Sequence, residues 1–164
     1  MSASREFLDA KQAGLTPDEL EQYLHAHIPL SKAMQVAVMS VHVDSVLLRA
    51  PLEPNINHRD TVFGGSASAV AILAAWSLLH VRLKVSGISS SLVIQRNTMN
   101  YTLPIEGMFT ARSFIQADGA WESFLHTLRR KGRARITVSS NLEFAGQTAG
   151  HFEGEFVVLG AKRT

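Results

Sequence analysis

The segment from Val62 to about Leu83 is apolar on nearly every helical face and is broken only by small residues, His80 and Arg82. A helix without a polar face must be surrounded by protein or by lipid. Its length approaches that of a membrane span, but no aromatic belt flanks it, Gly64 and Gly65 weaken its first turn, and strand-like sequence follows directly. We therefore predict a buried core helix.

Strand-like segments lie on both sides of this helix. Before it, Gln35–Val43 and Val46–Ala50 are β-branched and partly alternating, with turn residues between them, and predict a bent strand or a tight hairpin. Ala145-Gly146 predicts a hairpin later in the chain. An antiparallel sheet wrapped around one long helix, in the α+β class, satisfies this order. The four segments after the helix are Ser89–Tyr101, Met108–Gln116, Arg133–Phe144 and Gln147–Leu159.

Three further segments carry helix or loop signals. Thr16, followed by a proline and two acids, is typical of a helix start and predicts a helical segment over about residues 16–28. The polar loop Asn55–Asp60 leads to Thr61, which we expect to cap the core helix. The sequence leaves Trp121–Arg130 open as a short helix or a long loop.

The size and composition of the chain limit its class. With 164 residues, 46% of them hydrophobic, it suits a single domain over residues 1–164. The absence of cysteine excludes disulfides, thiolate metal sites and a cysteine nucleophile. The first residues carry charges and lack the apolar core of a secretory signal, so we expect the cytoplasm. The histidines show no metal-binding spacing, and we expect neither a metal nor a cofactor.

A motif at the entry to the core helix carries a family resemblance. The sequence NINHRDTVFGGS, with the element order above, resembles the hotdog thioesterase superfamily, in which a sheet wraps a central helix; the resemblance covers about Met34 to Leu159. More narrowly, the chain resembles the bacterial thioesterase-like family found alone or behind an acetyltransferase-like domain. That resemblance implies decarboxylation of malonyl-acyl carrier protein. The matched residues are Pro54, Asn55, Asn57, Thr61, Phe63, Gly65, Ser66 and Trp76.

The chain departs from the acyl-CoA thioesterases of the same superfamily at two positions. Asn57 and the two glycines match their pattern. Phe63, however, stands where those enzymes carry histidine, and Ile72 stands where their acidic catalyst lies. These departures argue against hydrolysis by that route.

The residues themselves point the same way, because no Asp or Glu occurs between Asp60 and Glu106. Hydrolysis of a thioester needs an activated water or a nucleophile. Decarboxylation of a malonyl thioester needs the carboxylate held out of conjugation and the thioester oxygen stabilised as an enolate forms, which hydrogen-bond donors provide. A pocket without a carboxylate base suits the second reaction.

We assign the catalytic roles to Asn57, Gly65 and Ser66. Asn57 is a donor that does not titrate, and Asn55 is expected to cap the loop. The glycines begin a helix, where free backbone N–H groups favour a negative oxygen, although they would also permit close packing. Trp76 has a core-packing alternative, and His58 with Asp60 is the alternative acid–base pair for hydrolysis. The expected substrate-binding residues are Asn55, Thr61, Phe63, Gly64 and Trp76.

Basic residues crowd one short stretch of a chain whose net charge is only +2. A solvated turn is one interpretation. The other is a docking site for an acidic acyl carrier protein, or for coenzyme A. The residues assigned to carrier binding are Arg129, Arg130, Lys131 and Arg133.

The leading functional hypothesis is malonyl-acyl carrier protein decarboxylation, which yields the acetyl starter for fatty acid synthesis. The alternatives are acyl-thioester hydrolysis and non-catalytic binding of an acyl thioester. By analogy with hotdog domains, which pair through their sheets, we expect a homodimer.

Overall fold

The computed structural model describes residues 14–160, and the apolar segment forms one helix of 22 residues within it. The predicted order of a helix, a strand pair, a long helix and four strands is confirmed. Almost all of the N-terminal stretch used in the localisation argument lies outside the described residues. In chain order the elements are α1 (Pro17–His27), α2 (Pro29–Ala33), β1 (Ala37–Val41), β2 (Val46–Ala50), a 3-10 turn (Glu53–Asn55), α3 (Gly64–Val85), β3 (Ser90–Tyr101), β4 (Phe109–Phe114), α4 (Ala120–Lys131), β5 (Arg133–Phe144) and β6 (Gln147–Gly160).

The six strands form one antiparallel sheet in the order β1-β2-β4-β5-β6-β3. The sheet wraps α3, which contacts every strand except β1 at several positions. This arrangement confirms the α+β hotdog fold. In this order β3 lies at one edge of the sheet, and one side of its 12-residue backbone pairs with no other strand within residues 14–160.

The small residues of α3 let the sheet approach its backbone closely. Alanines fill much of its buried surface, and the buried hydroxyl of Ser140 on β5 donates a hydrogen bond to the carbonyl of Ala71 at 2.8 Å. By length and hydropathy α3 would also pass as a membrane span, but 61% of its most apolar stretch is buried by the chain's own residues. The helix is the core of a globular domain.

The boundaries of α3 correct two sequence predictions. The helix begins and ends two residues later than the predicted range of Val62 to Leu83. Its N-cap residue is Phe63, which makes no side-chain cap hydrogen bond. Thr61 is therefore not the helix cap. The reason is that Val62 is held extended, bridged to Ile56 and donating its N–H to the carbonyl of Ile105 at 2.8 Å.

Two local predictions are confirmed. In α1, Thr16 and Glu19 form a reciprocal capping box, in which each side chain accepts the backbone N–H of the other. Between β5 and β6, Ala145 and Gly146 both have positive φ, at 50° and 76°, as a type I′ hairpin turn requires. The strand pair β1 and β2 is a hairpin rather than one bent strand.

The segment that the sequence left open is the helix α4. Its residues Trp121, Phe124 and Leu128 lie on one face and are buried against the sheet, and left-handed glycines stand at both ends, at Gly119 and Gly132. The basic residues assigned to carrier binding occupy the last turn of α4 and the first residue of β5. Cations there complement the negative end of the helix dipole.

Candidate active site at the start of the central helix

Asn55 anchors the loop that precedes α3. Its side chain is 1% exposed, and its amide nitrogen donates to the carbonyls of Met34 at 2.9 Å and Pro51 at 2.8 Å. Its own carbonyl accepts the N–H of Phe63 at 2.7 Å, so both ends of the loop meet at this residue. The side chain points into the protein, away from any substrate in the solvent-facing site. We expected Asn55 to bind substrate, but its hydrogen bonds instead hold the loop in position.

Asn57 closes the loop locally. Its Oδ1 accepts the backbone N–H groups of Arg59 at 2.8 Å and Thr61 at 3.2 Å, and its Nδ2 donates to the hydroxyl of Thr61 at 2.9 Å. Asp60, between them, has a φ of 60°, in the left-handed region that aspartate tolerates better than most residues. The capping of this loop was expected of Asn55, and that expectation is wrong, because Asn57 performs it. A second contact of Nδ2, to the carbonyl of Val62, is long at 3.4 Å.

The first turn of α3 presents backbone donors. The N–H groups of Gly64, Gly65 and Ser66 make no hydrogen bond with any residue in the described range, as expected of a helix start without a side-chain cap. They carry the positive end of the dipole of a 22-residue helix. The hydroxyl of Ser66 likewise bonds to no described residue and has no base beside it. The turn is therefore equipped to stabilise a negative oxygen rather than to activate a nucleophile.

Two aromatic rings flank this turn. The ring of Phe63 lies over Gly65, where an added Cβ would stand 2.4 Å from it, and Phe63 is 57% exposed. Tyr101, at the end of β3, donates its hydroxyl to the carbonyl of Gly64 at 3.0 Å. The close approach of the Phe63 ring thus requires a glycine at position 65. At Gly64, by contrast, an added Cβ would make only an ordinary van der Waals contact with Tyr101, at 3.6 Å.

A cleft of about 240 Å³ opens beside the helix start. Its wall consists of Val62, Ala67 and the segment from Tyr101 to Ile105, and Leu103 is largely exposed. Sequence reasoning missed this segment and Tyr101. No local pattern could have indicated them, because their position depends on β3 running antiparallel to α3.

His58 and Asp60 do not form an acid–base pair within the chain. Both side chains are exposed, and no hydrogen bond or ion pair joins them. No group of three or more His, Asp or Glu side chains within residues 14–160 is arranged to hold a metal ion.

The structure separates Trp76 from the other candidate residues. Twelve residues of helix, about 18 Å, divide it from Gly64. Its indole nitrogen donates to the carbonyl of Leu92 at 3.3 Å, and its ring stacks on His80, which also stacks on Tyr23. Burial lowers the pKa of His80, aided by nearby Lys84 and His27, so this histidine is neutral at pH 7. These rings line a second cleft, of about 490 Å³.

The four basic residues assigned to carrier binding are all exposed, and none forms an ion pair with a described acid. They flank Gly132 in the sequence, and we call these four residues the basic cluster. Its charges are free to meet an acidic partner.

Comparisons with known proteins agree with this geometry. A protein of unknown function from Chlorobaculum tepidum is 29% identical, with a TM-score of 0.84, over 91% of this chain and 99% of that one. A structure described as a putative thioesterase from Shewanella oneidensis is 24% identical, with a TM-score of 0.78, over 87% and 96%. A thioesterase from Haemophilus influenzae is 12% identical, with a TM-score of 0.73, over 91% and 94%, and supports the fold alone.

The family model described as "Putative thioesterase (yiiD_Cterm)" matches residues 17–160, which is most of the chain and nearly all of the described residues. The match includes the loop, the start of α3 and the basic cluster. With the helix-wrapping sheet and the shared architecture of the relatives, it settles the family: this chain is a hotdog-fold member of the putative thioesterase (yiiD_Cterm) family.

Proposed function

We propose that the chain, as a single domain over residues 1–164, decarboxylates malonyl-acyl carrier protein in the cytoplasm. The product, acetyl-acyl carrier protein, would start fatty acid synthesis. One observation carries the proposal: the helix start offers three N–H groups that have no partner in the described part of the chain, while the segment from Thr61 to Ile105 contains no carboxylate. The site thus stabilises an oxyanion without repelling a malonyl carboxylate.

In this reaction the bond between the carboxylate carbon and the α-carbon breaks. Its electron pair passes into the thioester, the oxygen becomes an enolate oxygen, and carbon dioxide leaves. The N–H groups of Gly65 and Ser66 stabilise that oxygen. Protonation of the α-carbon by water then gives the acetyl thioester.

Asn57 and Thr61 complete the donor set. One amide hydrogen of Asn57 is held by Thr61, whereas its contact to Val62 is long enough for a substrate oxygen to compete for the other hydrogen. The Thr61 hydroxyl, which accepts from Asn57, keeps its own proton for donation. Phe63 supplies an apolar surface beside the glycines, where a carboxylate is poorly solvated and its loss is favoured.

Thioester hydrolysis is the second candidate, and the family description favours it. It would use exposed Asp60 or His58 to activate water. The paired geometry that such a base needs is missing within the protomer, so we rank it below decarboxylation. A non-catalytic acyl-thioester binding module is the third candidate.

The basic cluster gives the carrier a docking surface. Acyl carrier protein is strongly acidic, and exposed arginines without ion-pair partners attract such a protein over distances of about a Debye length, roughly 8 Å at physiological salt. Coenzyme A, with its phosphates, is the alternative ligand of the same charges.

A homodimer would cover the free edge of β3. That edge runs for 12 residues without pairing to another described strand, and Val93 on it is 54% exposed. Long edges of this kind are normally covered. Half-buried apolar side chains on α3, at Ile72 and Trp76, lie on the helix surface that the chain's own elements leave partly open. A second copy, pairing β3 with β3, would cover the edge and extend the sheet.

The first prediction concerns the reaction. Purified protein incubated with malonyl-acyl carrier protein should lose carbon dioxide and keep the thioester, as followed by the intact mass of the carrier. Asn57→Ala should lower the rate about a hundredfold, in line with the loss of an oxyanion donor. Release of free carrier, abolished by Asp60→Ala, would instead establish hydrolysis, and unchanged carriers would favour the binding module.

The second prediction compares the two glycines. In Gly65→Ala the new methyl group displaces the Phe63 ring, which is exposed and moves at little cost in stability, so kcat/KM should fall about tenfold while the Tm stays nearly constant. The matched variant Gly64→Ala meets Tyr101 only at 3.6 Å and should lose at most about threefold. Equal losses in both variants would show that the position of Phe63 is irrelevant.

The third prediction concerns carrier docking. Arg129→Glu combined with Arg130→Glu should raise KM for malonyl-acyl carrier protein about fivefold or more and leave kcat nearly unchanged. The reason is that the basic cluster affects the association of the two proteins and not the chemical step. The control, Arg49→Glu with Arg112→Glu, reverses two exposed charges on β2 and β4 and should change KM little. Equal effects of the two pairs would point to net charge alone.

The fourth prediction concerns the dimer. Sedimentation should give the mass of two chains, and Val93→Asp should weaken the dimer because it places a charge on the edge strand. Leu30→Asp, at an equally exposed leucine on α2, should leave it intact. A wild-type monomer at micromolar concentration would contradict the pairing.

A further inference from the structure

The first turn of α3 depends on support from outside the helix. It begins with Gly64 and Gly65 in succession, and glycine loses more backbone freedom on folding than any other residue. Phe63 at the N-cap position makes no side-chain cap hydrogen bond, so the turn lacks the support that a serine or aspartate cap gives. Helix ends of this kind fray unless a neighbouring element holds them.

Tyr101 supplies this support. Its hydroxyl donates to the carbonyl oxygen of Gly64 at 3.0 Å, and its ring lies beside the same residue, 3.6 Å from the position of an added Cβ. Within residues 14–160 it is the only side chain that makes a hydrogen bond to Gly64, Gly65 or Ser66. The hydroxyl is therefore the polar link between the sheet and the first turn of the helix.

The peptide group that Tyr101 holds carries one of the proposed oxyanion donors. The carbonyl of Gly64 and the N–H of Gly65 belong to the same planar, trans peptide group and point in opposite directions. A hydrogen bond that fixes the direction of the carbonyl therefore fixes the direction of the N–H as well. The bond also polarises the peptide group, because hydrogen bonds in a chain strengthen one another, and the N–H becomes a stronger donor.

Tyr101 is itself fixed on both sides along the chain. Before it, β3 pairs with β6 as far as Tyr101, which lies opposite Gly150. After it, the N–H groups of Thr102 and Leu103 both donate to the carbonyl of Ala149, at 2.9 and 3.2 Å. The hydroxyl thus projects from a part of the sheet that is held in place, as the precise positioning of another group requires.

The loop before α3 has its own connection to this segment. Val62 donates its N–H to the carbonyl of Ile105 at 2.8 Å, and Phe63 donates to the carbonyl of Asn55 at 2.7 Å. Neither bond involves the Tyr101 hydroxyl. Removal of that hydroxyl therefore leaves the loop attached and releases only the first turn of the helix.

We propose that Tyr101 is a positioning residue for the reaction: its hydroxyl holds and polarises the peptide group between Gly64 and Gly65, so that the Gly65 N–H is directed at the thioester oxygen. The inference rests on the proposed function. In this role Tyr101 does not touch the substrate and acts through the Gly65 N–H. The contribution of that N–H grows as negative charge develops on the oxygen, so the effect falls on the chemical step rather than on binding.

Kinetics of Tyr101→Phe test this role, because the variant removes the hydroxyl and keeps the ring beside Gly64. With malonyl-acyl carrier protein, kcat should fall about fivefold to tenfold while KM stays within about twofold of the wild-type value. The Tm should change little, since Tyr101 is an exposed side chain. Tyr23→Phe removes the hydroxyl of the chain's other tyrosine; it is the matched control and should leave both constants unchanged.

The presence of only two tyrosines permits a finer test. In the Tyr23→Phe background, a fluorinated tyrosine incorporated throughout the chain enters position 101 alone. Fluorine on the ring makes the hydroxyl a stronger donor at a pH where the phenol keeps its proton. Polarisation of the peptide group then predicts that kcat rises with the donor strength of the hydroxyl, by about twofold across mono- and difluorinated rings. A tyrosine that only fills space gives no such trend.

A spectroscopic measurement without substrate tests the geometry itself. In protein labelled with nitrogen-15 glycine, the amide signal of Gly65 is identified by its loss in Gly65→Ala. Tyr101→Phe should move this signal upfield, because the peptide group is no longer polarised by the hydroxyl. The signals of Gly132 and Gly146, which lie in distant turns, should keep their positions.

The inference is overturned if Tyr101→Phe leaves kcat unchanged, or if it leaves the Gly65 signal in place. A higher KM with an unchanged kcat also contradicts it, since Tyr101 would then act in binding. The wild-type protein in the same assay separates the two levels. If it decarboxylates no carrier thioester, the proposed function and the catalytic role of Tyr101 fail together, whereas the Gly65 signal still shows whether Tyr101 holds this peptide group.

Discussion

The burial of α3 is the constraint on which the rest of the structure depends. A 22-residue helix with almost no polar face is stable in water only if other elements cover it, and a twisted antiparallel sheet provides a concave surface of suitable length. Alanines along the helix and the Ser140 hydrogen bond to Ala71 bring the layers close together. As a result the helix start lies at one end of the sheet, where its N–H groups bond to none of the residues from 14 to 160.

The loop before α3 shows how two similar residues divide their tasks. Asn55 is buried and ties both ends of the loop to the core, at the cost of leaving its own Oδ1 without a partner among the described residues. Asn57, at the surface, shapes the turn and retains one weakly held amide hydrogen. The buried Asn55 therefore anchors the loop to the core, and the partly buried Asn57 shapes its turn.

The chemistry available at the helix start follows from what surrounds it. The backbone N–H groups can stabilise a negative oxygen, and the chain from Thr61 to Ile105 supplies no carboxylate base. Charge is concentrated elsewhere, in the last turn of α4, where the helix dipole also favours cations. The charged surface and the unpartnered helix start are therefore separate features of the domain.

The sequence by itself determined the element order, a sheet around one helix and the hairpin at Ala145, because these follow from local periodicity, turn chemistry and one long apolar helix. The hotdog fold and the candidate loop were indicated by the family resemblance of the motif before α3. It did not determine the start of α3, the helical state of α4, or that Asn57 caps the loop while Asn55 anchors it to the core. Tertiary structure decided these three points. It also brought Tyr101 into contact with Gly64 and placed Trp76 far from both residues. The reason is that contacts between the strands and the helix depend on how these elements pack, which the local sequence around each residue does not specify.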